Sequence, residues 1–229
     1  MTARPHLPHY FPNYDIYVWL DSDTWVATPT AINTLVSAVN GKRIAVIPSV
    51  DRCYSRYYGL DALKNILEKV LPMYRNHLPE GLAHTMLVIG EMCSGVFAIP
   101  VNSPIWNEWA EEIGKILTYS AGLSVPLSHI FEQTALNLVV HRQHTHAAFL
   151  PARFDWILGA ALPLIDDNSG DLLEPQPPHE KIEILHLIHS GHGVEGKRKS
   201  LEVFTRSGRR INTSFDWDSI RALRDQQKT

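Results

Sequence analysis

The chain has 229 residues, 45% of them hydrophobic, which suits one globular domain with a sizeable core. A formal charge of -3 gives no basic field that would draw the protein to nucleic acid or an anionic membrane, so neither is an expected partner. Two cysteines are too few for a disulfide framework or a zinc site, and no apolar run resembles a signal segment or membrane span, so we expect a cytoplasmic protein.

The first part of the chain predicts alternating strands and helices. Residues 16–20 (IYVWL) predict a strand that is buried on both faces, and residues 44–47 predict a second short strand. Between them, Thr28 and Pro29 predict the start of a helix that ends at Gly41. This strand, helix, strand order favours an α/β layer with a right-handed crossover.

The later elements follow from periodicity and turn residues. In chain order we expect a helix over 61–74, a loop up to Glu91, a strand over 96–99, a helix opened by Ser103, an amphipathic helix carrying Phe131 and Val139, a loop over 166–179, a strand over 182–188, a basic stretch over 197–210, and a C-terminal helix capped at Thr213 or Ser214.

Asp21 and Asp23 directly follow the first predicted strand. Open α/β sheets bind ligands at the carboxyl ends of their strands, and two carboxylates separated by one residue point the same way in an extended chain. Such a pair suits Mg2+ or Mn2+, which would hold a diphosphate and neutralise its charge as a leaving group. This chemistry is that of glycosyl transfer from a nucleotide sugar. The alternative is that Asp-Ser-Asp only ends a strand and solvates a turn.

Four segments accompany the aspartate strand at 15–26. They are 94–97 (SGVF), 132–137 (EQTALN), 150–156 (LPARFDW), and 184–191 (ILHLIHSG) followed by Lys197. In this order they resemble the metal-dependent GT-A glycosyltransferases, especially family 8 and its bacterial relatives. The resemblance implies an α/β protein with a partial GT-A fold, in which helices flank a mixed sheet.

The resemblance also implies a metal site. Asp21 and Asp23 would bind the metal and the nucleotide diphosphate, His186 would be the third protein ligand, and a UDP-sugar is the expected donor. An imidazole ligand suits Mn2+ better than Mg2+. His189 is the competing ligand, and because His186 and His189 point to opposite faces of an extended strand, we expect only one of them to serve.

Catalytic and substrate-binding positions follow from the same resemblance. Glu132 and Gln133 would lie beside the transferred sugar, where an amide would stabilise an oxocarbenium-like transition state rather than act as a nucleophile; the alternative is an exposed helix face. Trp156 would either stack on a sugar or base, or pack in the core. The expected substrate-binding residues are Asp21, Ser22, Ser94, Gly95, Trp156, Gly191 and Lys197.

The chain departs from the family pattern in several places. Cys93 stands where family 8 usually has Asn, and Glu132 stands where it has Asp. After Lys197, the family usually has Pro-Trp, whereas this chain has Arg198-Lys199. Relatives carry on the order of a hundred residues before the aspartate strand, enough for a nucleoside-binding half. Only 20 residues precede Asp21 here, so we expect this chain alone to bind a nucleotide sugar weakly or not at all.

We therefore expect a single, incomplete glycosyltransferase domain over 1–229. Residues 11–150 would form the sheet core with the metal site, 151–212 a late strand and basic loop, and 213–229 a C-terminal helix. The donor sugar, the glycan or other acceptor, and the stereochemical outcome depend on side-chain geometry around the sugar, which the sequence does not give.

Two other functions fit part of the pattern. In a haloacid-dehalogenase-type phosphatase, Asp21 would be the nucleophile, Asp23 the general acid, Ser49 the end of the next strand, and 166–167 a metal-binding acidic pair. Against it, Trp25 stands where that family needs Thr or Val, and the downstream segments stay unexplained. The third hypothesis is a non-catalytic glycosyltransferase remnant that acts as a binding protein.

Overall fold

The computed structural model describes residues 3–55, 60–123, 126–188 and 200–226, and it confirms the expected mixed α/β class. The chain forms two compact units. The first comprises Met1–Leu20, Ile32–Val50 and Tyr57–Leu150, and the second comprises Asp21–Ala31, Asp51–Arg56 and Pro151–Thr229. The aspartate pair therefore belongs to the second unit, whereas the first predicted strand belongs to the first.

A four-stranded mixed sheet forms the centre of the first unit. Its strands are β1 (Ile16–Leu20), β3 (Ile44–Pro48), β4 (Met92–Pro100) and β5 (Ala147–Phe149). Their order is β1-β4-β3-β5, in which β4 runs antiparallel to both of its neighbours and β5 runs parallel to β3. The strand predicted at 16–20 is confirmed, but it is not buried on both faces. Because β1 lies at the sheet edge, Tyr17 is its one buried residue.

Helices make up much of the rest of this unit. They are α1 (Leu7–Tyr10), α2 (Ala31–Ala38), α3 (Leu60–Asn65), α4 (Leu71–Arg75), α5 (Glu80–Val88), α6 (Ile105–Leu123) and α7 (Phe131–Arg142). The core of the unit forms where α6 packs on α7 and α7 packs on β4. There the rings of Phe97 and Trp109 meet edge to face, with centroids 5.6 Å apart, and both side chains are fully buried.

The second unit contains a three-stranded sheet and two smaller strand pairs. The strands are β2 (Thr24–Val26), β6 (Trp156–Ile157), β7 (Leu164–Ile165), β8 (Leu172–Leu173), β9 (Ile184–His186), β10 (Leu201–Phe204) and β11 (Arg210–Thr213), and α8 (Trp217–Gln226) follows. In the sheet, β9 lies between β2, which is antiparallel to it, and β6, which is parallel. The two small pairs are β7 with β8 and β10 with β11.

Several boundaries differ from the predictions. The helix predicted over 61–74 is present but contains a π-helical turn at Ile66–Val70, after which Pro72 is accommodated in the first turn of α4. The loop predicted up to Glu91 is wrong, since Pro79 precedes a regular helix, α5. The predicted right-handed crossover from β1 does not lead to an adjacent strand, because β4 lies between β1 and β3.

The C-terminal part also differs. The basic stretch folds partly into the β10–β11 hairpin, which the sequence did not indicate. The last helix begins later than predicted, because Asp216 caps it: its Oδ1 accepts the Ser219 N–H at 2.7 Å. Within the described residues, no helix is long and apolar enough to cross a membrane.

Candidate metal and substrate site

Asp21 and Asp23 lie in a tight turn that leads into β2. The N–H and the hydroxyl of Thr24 both donate to the Asp21 carbonyl, at 3.0 and 2.7 Å. The Asp23 carbonyl accepts the N–H of Leu187, the residue after β9, at 2.9 Å. The turn backbone is therefore held on both sides of the exposed Ser22.

His186 reaches this turn from the neighbouring strand. In the antiparallel pairing of β2 with β9, His186 lies opposite Thr24. Its Nε2 is 3.3 Å from Asp23 Oδ1, and its side chain is only 2% exposed. One ligand atom from each of Asp21, Asp23 and His186 lies within 4.8 Å of the others. The three expected metal ligands thus come together at one place.

Asp155 lies behind the imidazole, and the sequence prediction did not assign it a role. Because β6 pairs with β9 with Ile157 opposite His186, the residue just before β6 can reach the ring. The Asp155 Oδ1 atom is 2.8 Å from His186 Nδ1. A carboxylate only accepts, so Nδ1 donates and Nε2 is the nitrogen on the aspartate side. In the sequence, the one indication of such a role was that Asp155 is an acidic residue next to Trp156, within the segment 150–156 that carries part of the family resemblance.

The charges around His186 change its acidity. Burial lowers the pKa of His186, but the hydrogen bond to Asp155 and the negative charges of Asp155, Asp23 and Asp21 outweigh it, and the pKa is raised above its usual value of 6.5. In the metal-free protein, the ring therefore holds a proton more strongly than an exposed histidine does.

The residues present fit a divalent cation. Two carboxylates and one imidazole form a mixed oxygen and nitrogen donor set, which suits Mn2+. A ligating histidine usually donates its second ring N–H to a carboxylate or carbonyl, which is the relationship between His186 and Asp155. The predicted residues Gly191 and Lys197, and the competing ligand His189, lie outside the described residues.

In the first unit, two other predicted residues contact each other directly. The Ser94 N–H donates to Gln133 Oε1 at 3.0 Å, and Gln133 Nε2 donates to Glu91 Oε1 at 2.8 Å. These partners fix the orientation of the Gln133 amide, because a backbone N–H only donates and a carboxylate only accepts. The neighbouring Gly95 lies inside β4 and is buried.

Arg4 joins this group, although no role was predicted for it. Its guanidinium donates to Ser94 Oγ at 2.9 Å and lies 4.9 Å from the centroid of the Trp19 ring. A cation over an aromatic face is a favourable arrangement. Arg4, which precedes the first strand, therefore packs on the end of the sheet that carries Ser94.

Burial decides between the alternatives for two residues. Glu132 is 4% exposed, so the exposed helix face considered for it is wrong. Trp156 is fully buried, with its Nε1 donating to the Ala161 carbonyl at 2.9 Å and its ring edge to face with Tyr54. Trp156 thus packs in the core of the second unit and offers no open ring face for stacking.

No protein-family model matches the chain, and no curated protein matches it. Some solved structures do. The apo structure of WbbM, a bifunctional glycosyltransferase, is 19% identical over 83% of this chain and 31% of its own, with a TM-score of 0.43. The galactosyltransferase LgtC in complex with donor and acceptor sugar analogs is 12% identical over 100% of this chain and 67% of its own, with a TM-score of 0.46. An active-site mutant of LgtC is 11% identical over the same shares, with a TM-score of 0.45.

Proposed function

We propose that this chain provides the metal and diphosphate site of a glycosyltransferase that uses a nucleotide sugar, with a UDP-sugar as the donor. The observation that carries this proposal is the convergence of Asp21, Asp23 and His186 on one point of the second unit. A structural turn needs no buried imidazole between two acidic groups. A cation site does, because it needs several donors of complementary type held in fixed positions.

Within this proposal each residue has a definite task. Asp21 and Asp23 supply negative oxygen ligands from a turn whose backbone is held by Thr24 and Leu187. His186 supplies the nitrogen ligand. When bound, Mn2+ (or Mg2+) would hold the donor diphosphate and neutralise its charge as a leaving group. The exposed Ser22 is available to the donor. Lys197 is proposed to contact the donor phosphates, and Gly191 is proposed to bind the substrate.

We assign Ser94, Gly95 and Gln133 to the transferred sugar, with the Gln133 amide held by Glu91 and by the Ser94 N–H. The proposed catalytic contribution of Gln133 is to stabilise positive charge that develops on the sugar ring, since an amide is a poor nucleophile. Glu132 is proposed to act from a buried position next to it.

Metal binding comes first in the test of this proposal. Calorimetry and Mn2+ electron paramagnetic resonance should show one Mn2+ bound, and the weak UDP binding expected of this chain alone should require Mn2+. Asp21→Asn should abolish both events. Asp171→Asn is a matched control, because Asp171 is also a partly exposed acid of the second unit but is paired with Lys181 at 2.7 Å.

Two outcomes would contradict the proposal. If wild type binds no Mn2+, or if Asp21→Asn binds Mn2+ and UDP as wild type does, the three residues are not a donor site. A control variant that loses binding equally would point to nonspecific attraction to acidic side chains.

The phosphatase hypothesis gains no support from the structure. Its aspartate strand is expected to be buried, whereas β1 is an edge strand in which Tyr17 is the one buried residue. Its second acidic pair is engaged elsewhere: Asp166 accepts the N–H groups of Asn168 and Ser169 in its own turn, and Asp167 accepts the Ser207 hydroxyl. These hydrogen bonds account for both carboxylates as loop structure.

A further inference from the structure

Asp155 is the acidic residue most deeply enclosed beside the proposed metal site. Its side chain is 0% exposed, and its Oδ1 lies 2.8 Å from His186 Nδ1. Among the described residues, none donates a hydrogen bond to its other oxygen, Oδ2. The His186 imidazole is thus the group that offsets the free-energy cost of burying this carboxylate, because a buried charge is costly unless it is paired.

The backbone around Asp155 holds it in place. Its N–H donates to the Ala152 carbonyl at 2.9 Å, which closes a 3-10 turn at Ala152–Phe154. On one side of it, the Glu183 N–H donates to the Arg153 carbonyl at 2.8 Å, and on the other the Leu158 N–H donates to the His186 carbonyl at 2.9 Å. The chain segments that carry the carboxylate and the ring are therefore tied together before and after Asp155.

We propose that Asp155 is a positioning residue, which keeps the hydrogen of neutral His186 on Nδ1 so that the Nε2 lone pair faces the Asp21–Asp23 turn. This inference rests on the proposed metal site. Which ring nitrogen of a histidine is available to a metal is set by the hydrogen bond that the other one makes. With Asp155 behind the ring, the hydrogen has an acceptor on the Nδ1 side, whatever occupies the aspartate side.

A purely structural pair is the competing explanation, and a comparison with Glu174 separates the two. Glu174 is a second buried carboxylate of the same unit, with its side chain 3% exposed and paired with Arg52. Losing either carboxylate should lower the melting temperature. Only the loss of Asp155 should alter the imidazole.

The first measurement needs no metal. Nitrogen-15 NMR of the metal-free protein, at a pH where the His186 ring is neutral, should show the hydrogen on Nδ1 in wild type and in Glu174→Gln. In Asp155→Ala it should move partly or wholly to Nε2. Wild-type His186 with its hydrogen on Nε2 would overturn the proposal, whether or not any variant folds.

The second measurement is a Mn2+ titration at one pH. Asp155→Ala should bind Mn2+ about 10- to 100-fold more weakly than wild type, the usual effect of removing such a partner. Asp155→Asn keeps an acceptor oxygen without the charge, so its loss should be smaller, and Glu174→Gln should stay within about twofold of wild type. Equal affinity in Asp155→Ala and wild type would overturn the positioning role; if Asp155→Ala does not fold, Asp155→Asn decides it by the same comparison. A wild type that binds no Mn2+ but has its hydrogen on Nδ1 would instead refute the metal site.

Discussion

His186 Nε2 lies 3.3 Å from Asp23 Oδ1, on the opposite side of the ring from the nitrogen that Asp155 holds. When the ring of the metal-free protein is protonated, this nitrogen carries the second proton and pairs with Asp23. In the proposed metal-bound state, the same nitrogen is a ligand. A proton and the metal would therefore compete for His186 Nε2. The effect of the surrounding charges can be measured either as the pKa of His186 or as the affinity for the metal.

Asp23→Asn should lower the pKa of His186 in the metal-free protein. The negative charge of Asp23 is one of the causes that raise this pKa, and the hydrogen bond to Asp155 remains in the variant. The shift is measured by proton NMR of the ring as the pH is changed. Asp167→Asn serves as the control, since Asp167 bonds Ser207. An unchanged His186 pKa in Asp23→Asn would mean that the 3.3 Å contact carries no charge interaction.

The contribution of His186 to the stability of the protein should depend on pH with opposite signs in the metal-free and Mn2+-loaded states. A raised pKa means that protonated His186 contributes stability that is fully present below its usual pKa of 6.5 and is lost as the pH rises through the folded-state pKa. Mn2+ binds the deprotonated ring, so its stabilisation grows over the same pH range. Melting temperatures in EDTA and in Mn2+ should diverge as pH rises. Parallel curves would argue against a shared nitrogen.

His77 should make the protein sensitive to acid. Its ring is fully buried, Nε2 is 3.1 Å from Thr134 Oγ1, and burial lowers its pKa to about 4. The Thr134 hydroxyl already donates to the Ile130 carbonyl, so Nε2 donates to it, and Nδ1 has no partner among the described residues. Charging the ring would therefore bury an unpaired N–H.

Between pH 6.5 and 4, His77 is protonated in the unfolded chain but still neutral in the folded protein. The free energy of unfolding should therefore fall by up to about 3 kcal/mol as the pH falls through this range. Urea unfolding of His77→Gln across this range should show a flatter loss of stability than wild type. Equal slopes for the two proteins would contradict the prediction.

Asn137 should be one of the most sensitive polar positions in the first unit. It is fully buried in α7, its Oδ1 accepts the Met92 N–H at 2.6 Å, and its Nδ2 donates to the Met92 carbonyl at 2.9 Å. Asn137→Ala would remove the partner of both the N–H and the carbonyl of Met92, and should lower the free energy of unfolding by about 3 kcal/mol. Urea unfolding measures this free energy. His141→Ala, one turn later in α7, removes a solvent-exposed bond to the Gly90 carbonyl and should cost less than about 1 kcal/mol. Similar losses in both variants would refute the role of Asn137.

Local patterns predicted the elements whose signal is contained in a short window. The apolar run at 16–20 became β1 with the predicted bounds. Gly41, the predicted helix stop, has the left-handed φ of 69° that suits glycine, although α2 itself already ends at Ala38. Patterns failed where distant residues decide. The sequence placed β1 inside a sheet buried on both faces, but its neighbours are set by pairing with β4, about 80 residues away. The helix α5 was missed because its polar and apolar residues give a weak periodic signal.

The sequence by itself determined which side chains carry chemistry: two carboxylates one residue apart, and a late strand with several imidazoles. Their types and spacing are local properties that need no folded chain. Only the tertiary structure decided that His186 meets Asp23, since the register of β2 against β9 sets this contact. It also decided that Asp155 stands behind the ring, because the position of β6 beside β9 is fixed by hydrogen bonds between segments far apart in sequence. The aspartates thus mark the site in the sequence, and strand pairing supplies the groups that would complete it.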